Sequence, residues 1–486
     1  MNLPTYEELH IVSDLHMGGE PGFQIFKETQ RLANYILKVK DISPERRVAL
    51  ILNGDVIDTL AEDSGGYIAT EKAVALVERI LHDPNFGCVW QALAEFVKTP
   101  KRTLVILIGN HDIELAFPLV QWTLINYLAG DDLAAKARIE FSVAGAGYPC
   151  KVGKASVFCT HGNEVDPWNF VRYEELSKAA RRLNANRPLP ASDWLPNAGT
   201  KMVKDVMNTI KRRYAWIDLL KPETNAAVGV LLALDPSQLG KIKNVLPIVG
   251  QQLLEKGQVD QRLSADAFVA PTAATAKEPA LEQMLGANLL QELAPKAADT
   301  QKAVDEMLLD AEKPYQQPAA QDQGTLGVGQ LVIDKLRGVS GAESLRRALQ
   351  DWLKKDTTFD IADEDETYTA VTASVGDNID FIVTGHTHLE RAIERGGNRY
   401  YFNCGTWIRL LRCTEELLKD EASFKPIFDI LNNGKMSDID QSKGFVLDQT
   451  SAVCIKLADN GDVIGELLHV TGDNADLLPI KTFTRT

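Results

Sequence analysis

Short aliphatic and β-branched runs alternate with longer stretches in which apolar positions return every three or four residues, the pattern of strands separated by helices. Residues 9–13, 48–52, 104–108 and 155–159 predict strands in the first third of the chain. Between them, residues 23–38 predict a helix with Ile25, Leu32, Ile36 and Leu37 on one side, and residues 71–81 predict another. Strand-like runs resume far downstream at 380–383, 399–402 and 451–457, which predicts an α/β sandwich closed by its C-terminal strands. No repeat of fixed period is present.

From about residue 176 to residue 370 the strand pattern gives way to Ala-rich helical sequence. This predicts three parts: a catalytic first part over 1–175, a mainly helical insertion over 176–370, and a catalytic second part over 371–486. Inside the insertion, residues 264–330 are rich in Ala, Gln and Pro and read as mobile. Residues 216–254 are apolar enough to form a helical cap with a small core of its own. Residues 178–213 carry nine Lys and Arg against only Asp193 and Asp205, a basic face for solvent or for an anionic substrate.

That local patch stands out because the 486-residue chain is acidic, with a formal charge of −15. Such a balance excludes a generally basic nucleic-acid-binding coat and suits a fold that holds divalent cations. The first ten residues have neither the basic nor the apolar region of a secretory signal. The apolar run at 226–234 is far short of the roughly 18–20 residues that span a bilayer, so no transmembrane segment and a cytoplasmic location are expected. Six cysteines without paired spacing predict neither a disulfide framework nor a zinc knot, which directs any metal chemistry to histidines and carboxylates.

Those residues fall in five polar clusters, each directly after a predicted strand. Asp14-Leu15-His16 has a spacing of two, which on extended backbone points both side chains the same way. Gly54-Asp55-Val56-Ile57-Asp58 offers in Asp55 a carboxylate whose two oxygens can bridge two cations as a single imidazole nitrogen cannot. In Gly109-Asn110-His111-Asp112, Asn110 offers a neutral oxygen, His111 can hydrogen-bond a phosphoryl or leaving-group oxygen, and Asp112 could fix the His111 tautomer. Thr160-His161-Gly162 and Gly385-His386-Thr387-His388 add three imidazoles, ligands that suit Zn, Fe and Mn. Taken singly, most of these segments read equally well as turns. Taken together they place seven ligand-type residues at strand ends, where sites in α/β sheets converge.

In this order the clusters resemble the calcineurin-like metallophosphoesterase family over residues 8–170 and 375–470. The resemblance implies a four-layer αββα sandwich with a dinuclear metal centre, here carrying a large mainly helical insertion. It implies Asp14, His16, Asp55 and His388 around one metal, Asp55, Asn110, His161 and His386 around the other, and His111 as the acid or transition-state partner. Within the family, the 14–18 and 385–388 stretches and Asn403-Cys404-Gly405-Thr406-Trp407 are most similar to the bacterial UDP-2,3-diacylglucosamine pyrophosphatase branch. That branch typically has arginine where His111 stands and lacks so long an insertion, so the resemblance carries a phosphoesterase rather than that branch's lipid substrate.

The expected chemistry is hydrolysis of a phosphoester by a water that two cations acidify, with His111 and Asp112 as catalytic residues. Two divalent ions are expected, Mn first, with Fe or Zn as alternatives. The substrate is expected to be a phosphorylated small molecule or another anion, hydrolysed by a phosphodiesterase, pyrophosphatase or phosphatase activity. Rival readings are a phosphoprotein phosphatase, a nuclease, or a protein-binding module that uses the insertion as a platform for a partner protein. The complete ligand set favours an enzyme.

Overall fold

The computed structural model describes residues 3–220 and 339–486, apart from 188, 191–192, 354–356, 443 and 448, together with Val230 and Leu234. The Ala/Gln/Pro-rich stretch at 264–330 and most of the expected cap at 216–254 lie outside the described residues.

The fifteen strands of the described residues are numbered in chain order. β1 (Thr5–Tyr6), β2 (Glu8–Val12), β3 (Val48–Asn53), β4 (Arg102–Leu107), β5 (Ile139–Ser142), β6 (Tyr148–Val152) and β7 (Ala155–Cys159) precede the insertion. β8 (Phe381–Thr384), β9 (Glu390–Glu394), β10 (Tyr400–Cys404), β11 (Leu410–Leu411), β12 (Val446–Leu447), β13 (Thr450–Leu457), β14 (Val463–Thr471) and β15 (Asp476–Arg485) follow it. One sheet runs β15-β14-β13-β2-β3-β4-β5 and the other β1-β6-β7-β8-β10-β9. β2, β3, β4 and β5 are mutually parallel, as are β7, β8 and β10, so their carboxyl ends open on one edge of the molecule.

Period-two alternation sorts the strand side chains between two layers. Leu9, Ile11, Ala49, Ile51, Val105 and Leu107 meet Cys150, Val157, Phe381, Val383 and Phe402 between the sheets. The opposite face of the first sheet, with Val12, Leu50, Leu52 and Ile106, is covered by the helices Thr29–Lys40, Ala73–Leu81, Gly87–Lys98 and Pro118–Ala129. Ile382 and Tyr401 on the outer face of the second sheet pack on Val371 of the helix Glu366–Val375. The layers are therefore α, β, β, α. Strands buried on both faces need no polar alternation, which is why 48–52 and 104–108 read as unbroken apolar runs.

The predicted helix at 23–38 starts only at Thr29. Residues before it serve another purpose, since Phe26 makes an antiparallel bridge to Ile408. Among the described residues, the segment between β7 and β8 contains helices and no strand, including Tyr173–Asn184 and Gly341–Trp352. Part of it builds a separate core with a C-terminal helix: Trp216, Leu219, Leu345 and Leu349 pack with Phe424, Ile427 and Leu431 of Glu421–Asn433. Residues around 408–445 thus belong in packing terms to the insertion, although in sequence they lie within 371–486. Among the described residues no helix is long and apolar enough to cross a membrane.

Candidate dinuclear metal centre

All five clusters lie on the loops at the carboxyl ends of β2, β3, β4, β7 and β8, and five of the seven ligand-type residues have a backbone conformation that side chains rarely adopt. Asp14, His16, Asp55, His386 and His388 have φ of 55°, 48°, 51°, 71° and 61°. Only nine non-glycine residues in the described chain have positive φ, and these are five of them. A left-handed residue costs about 1–3 kcal/mol and persists where the surroundings enforce it, commonly at functional sites. The extended geometry expected for Asp14 and His16 is therefore replaced by two left-handed turns, which aim both side chains inward.

Around one point, His16 Nε2 lies 3.1 Å from His388 Nε2 and 3.7 Å from Asp55 Oδ2, while His388 Nε2 lies 3.3 Å from Asp14 Oδ1. Ligand atoms that share an ion at ~2.1 Å are spaced by about 3.0–3.4 Å, so this cluster has nearly the spacing of a coordination shell. Around the neighbouring point, His161 Nε2 stands 3.2 Å from Asp55 Oδ2 and the His386 ring centre 5.4 Å from that of His161. Asp14, His16 and His388 form one group able to hold an ion, Asp55, His161 and His386 another, and His16, Asp55 and His111 a third between them. Asp55 faces both points through Oδ2, and its Oδ1 accepts the His111 backbone N–H at 2.8 Å.

Donor chemistry fits cations. Asn110 Oδ1 and His161 Nε2 are buried and neither has a hydrogen-bond partner. His161 Nδ1 lies 2.8 Å from the Asn53 carbonyl, which requires the proton on Nδ1 and leaves the Nε2 lone pair facing the centre. Buried polar atoms without partners cost about 1–3 kcal/mol each, so an arrangement that leaves two together calls for something to occupy them.

Glycines in the clusters are explained by close approach. A Cβ on Gly54 would lie 2.4 Å from His161 Nδ1, and one on Gly109 would lie 2.1 Å from Asp55 Oδ1. A third on Gly385 would lie 2.4 Å from Ser13 Oγ and 2.6 Å from Asp14 Oδ2. Each glycine makes room for a residue of another cluster, so the motifs interlock. The Asn403–Trp407 stretch is a brace: Asn403 Nδ2 donates to the Gly385 carbonyl at 2.7 Å, and Thr406 Oγ1 to the Asp14 carbonyl at 2.9 Å.

Electrostatics follow from packing buried carboxylates among imidazoles. Burial alone would raise the Asp14 pKa, but the His161 and His388 imidazoles bring it down to about 2. Burial would likewise lower that of His111, yet the charges of Asp58 and Asp55 lift it to about 9. The Asp112 carboxyl is pushed up to about 7, by burial first and then by the charge of Asp55.

Asp112 does not touch His111. Its oxygens accept the Gly109 and Val56 backbone N–H groups at 2.7 and 2.8 Å, which ties the β4 loop to the β3 loop. Adjacent residues in a tight turn project differently, and the side chain that meets His111 Nδ1, at 3.1 Å, is Asp58. Asp58 Oδ2 also stands 3.5 Å from His16 Nδ1. Asp166, with Oδ2 2.8 Å from His386 Nε2, is a second carboxylate that sequence reasoning passed over. Asp58 was within reach, four residues beyond Gly54, whereas nothing local marks Asp166.

A further group of possible ligands, Glu8, His10 and Cys454, lies on the amino-terminal side of the same sheet. Both His10 nitrogens are occupied there, by Tyr35 Oη at 2.8 Å and Glu8 Oε1 at 3.0 Å, and Arg46 reaches Glu8 at 3.5 Å. This is a satisfied network. Among curated proteins no sequence matches the chain. Residues 9–217, which span four of the five clusters, match the family model of the calcineurin-like phosphoesterases, and the four layers and the convergent ligand groups agree with that similarity.

Proposed function

We propose that the protein hydrolyses phosphoester bonds at a dinuclear centre held by Asp14, His16, Asp55 and His388 on one side and by Asp55, Asn110, His161 and His386 on the other. The observation that carries this reading is the shared Asp55 carboxylate, with Oδ2 3.7 Å from His16 Nε2 and 3.2 Å from His161 Nε2. When bound, two divalent cations supply Lewis acidity for a phosphoryl oxygen and acidify a water. Mn is our first expectation for both, from the mixed nitrogen and oxygen donors, with Fe or Zn as alternatives.

The protein's own part is orientation and proton supply. Asp58 holds the His111 proton at Nδ1, so that a protonated ring carries its other proton on Nε2 for the leaving-group oxygen. The charges of Asp58 and Asp55 favour the protonated ring, the form a general acid needs. Supporting an anionic substrate, Lys204 of the basic segment reaches the loop after Asp58, where Nζ donates to the Glu62 carbonyl at 2.8 Å and Ser64 Oγ at 3.0 Å. A diester or pyrophosphate of a small molecule is our preferred substrate class, in keeping with the likeness of the 385–388 and 403–407 stretches to the pyrophosphatase branch.

Asp55→Asn and His111→Ala separate the two roles. Asp55→Asn is expected to lose metal and turnover together, whereas His111→Ala keeps both metals and slows hydrolysis by about 10²–10⁴-fold. Metal analysis beside rates on mono- and diester model substrates reads this directly. Wild-type rates in His111→Ala would remove that residue from the mechanism, and full metal content in Asp55→Asn would remove the bridge.

A further inference from the structure

We propose that Asp166 and Asn169 are positioning residues for the second cation, the one assigned to Asp55, Asn110, His161 and His386; the inference rests on that dinuclear reading. Both belong to the turn after β7, and each addresses a ligand that arrives from a different strand. Asp166 Oδ2 lies 2.8 Å from His386 Nε2. A carboxylate accepts only, so Nε2 carries the proton and Nδ1 is left as the nitrogen with a lone pair. Such a bond selects the tautomer, fixes the ring plane and makes the imidazole a stronger donor to metal.

Asp166 is itself fixed, since Oδ1 accepts the Trp168 N–H at 2.8 Å and Oδ2 the Asn169 Nδ2 at 2.7 Å. Asn169 Oδ1 in turn accepts Asn110 Nδ2 at 3.4 Å. That contact decides which way the Asn110 amide faces and leaves its Oδ1 buried without a protein partner. One turn therefore sets the donor atoms of two ligands to the same ion. Corresponding support for the first ion comes from elsewhere, through Asp58 beside His16 Nδ1.

The insertion leans on this turn. Gly199, in the helix Ala198–Lys201, donates its N–H to the Trp168 carbonyl at 2.6 Å, and a Cβ there would fall 2.0 Å from Asn169 Oδ1. A side chain at 199 must displace Asn169, and with it the partner of Asn110.

The experiment titrates Mn2+ into the chelator-treated full-length wild type and Asp166→Ala, by calorimetry and by the spin-coupling signal of a Mn pair, with metal-free thermal unfolding alongside. Wild type is expected to take two ions. Asp166→Ala is expected to take the first with unchanged affinity and the second about 10–100-fold more weakly, with the coupled signal lost at equal Mn2+. Asp166→Asn keeps an oxygen for Nε2–H and should lose less. Gly199→Ala should weaken the same ion through Asn169. Two ions at wild-type affinity in Asp166→Ala would overturn the proposal while leaving the dinuclear centre standing. Should that variant not fold, unchanged second-ion affinity in both Asp166→Asn and Gly199→Ala has the same force. A wild type that takes up no pair of ions would overturn the dinuclear reading itself, an outcome seen before any variant is compared.

Discussion

Gly109→Ala is the smallest change that should disable the centre while sparing the fold. Gly109 has no positive φ, so the backbone accepts alanine and the effect is one of space alone. The added carbon would lie 2.1 Å from Asp55 Oδ1, 2.5 Å from Asp55 N and 2.8 Å from Asp55 Cγ. Ordinary contacts begin near 3.4 Å, so the carboxylate must retreat by roughly 1 Å, and because the backbone nitrogen is struck as well a rotamer change cannot absorb it. Retreat breaks the 2.8 Å bond from His111 N to Oδ1 and moves the shared Oδ2 away from both ligand groups.

Overpacking of this kind costs about 1–3 kcal/mol of stability, and a displacement of ~1 Å in a positioning group costs about 10²-fold in rate. The assay is metal content after desalting, thermal unfolding, and turnover of a model diester. Gly87→Ala serves as control, since it begins the helix Gly87–Lys98 and a Cβ there meets nothing within 4 Å. It should leave all three readouts unchanged or add a few tenths of a kcal/mol in stability. Two ions and a rate within twofold of wild type in Gly109→Ala would refute the claim that this glycine exists to admit Asp55.

Two further outcomes follow from the same geometry. Asp58→Asn removes the charge beside His111, whose pKa of about 9 exceeds the roughly 6.5 of an unfolded chain. Stability from that raised pKa is fully present below about pH 6.5 and lost as pH rises through 9, so metal-free Asp58→Asn should fall short of wild type by about 1–3 kcal/mol at pH 6 and by less at pH 10. Equal deficits at the two pH values, read by thermal unfolding, would count against the pair. Trp216→Ala empties a fully buried site in the core shared by the insertion and the helix Glu421–Asn433, and breaks the 2.9 Å bond from Nε1 to the Leu431 carbonyl. A loss of ~3–5 kcal/mol is expected, with the stoichiometry of metal unchanged, because none of the ligands belongs to that core. Loss of metal in a folded Trp216→Ala protein would show that the two cores are coupled.

What could be read from the sequence was short-range. β3 and β4 are parallel strands buried on both faces, and their runs of Val, Ile and Leu announce themselves. Candidate ligands follow such strands within one to four residues, with a glycine beside one of them in four of the five clusters, so cluster by cluster the candidate centre was visible. What escaped depends on partners distant in the chain. Asp58 meets His111 across 53 residues and Asp166 meets His386 across 220, and no spacing rule connects them. Assigning the partner role to Asp112 substituted adjacency in sequence for adjacency in space. The core built by Trp216 with Phe424 was hidden for the same reason.

Strand β2 carries the sharpest version of this lesson, because a polar pair with a spacing of two occurs at each end of it. Glu8 and His10 lie on its helix-facing side, with His10 bonded to Tyr35 Oη and to Glu8 itself, and Arg46 beside the carboxylate. Every donor there is matched by an acceptor, and a cation would have to displace bonds worth about 0.5–1.5 kcal/mol each and repel a guanidinium. Asp14 and His16 stand just past the other end with positive φ, and they meet neighbours that offer lone pairs to a common point. Spacing is the same in both cases. What separates a metal centre from a structural network is whether the protein closes its own hydrogen-bond account, and only the carboxyl end of β2 leaves it open.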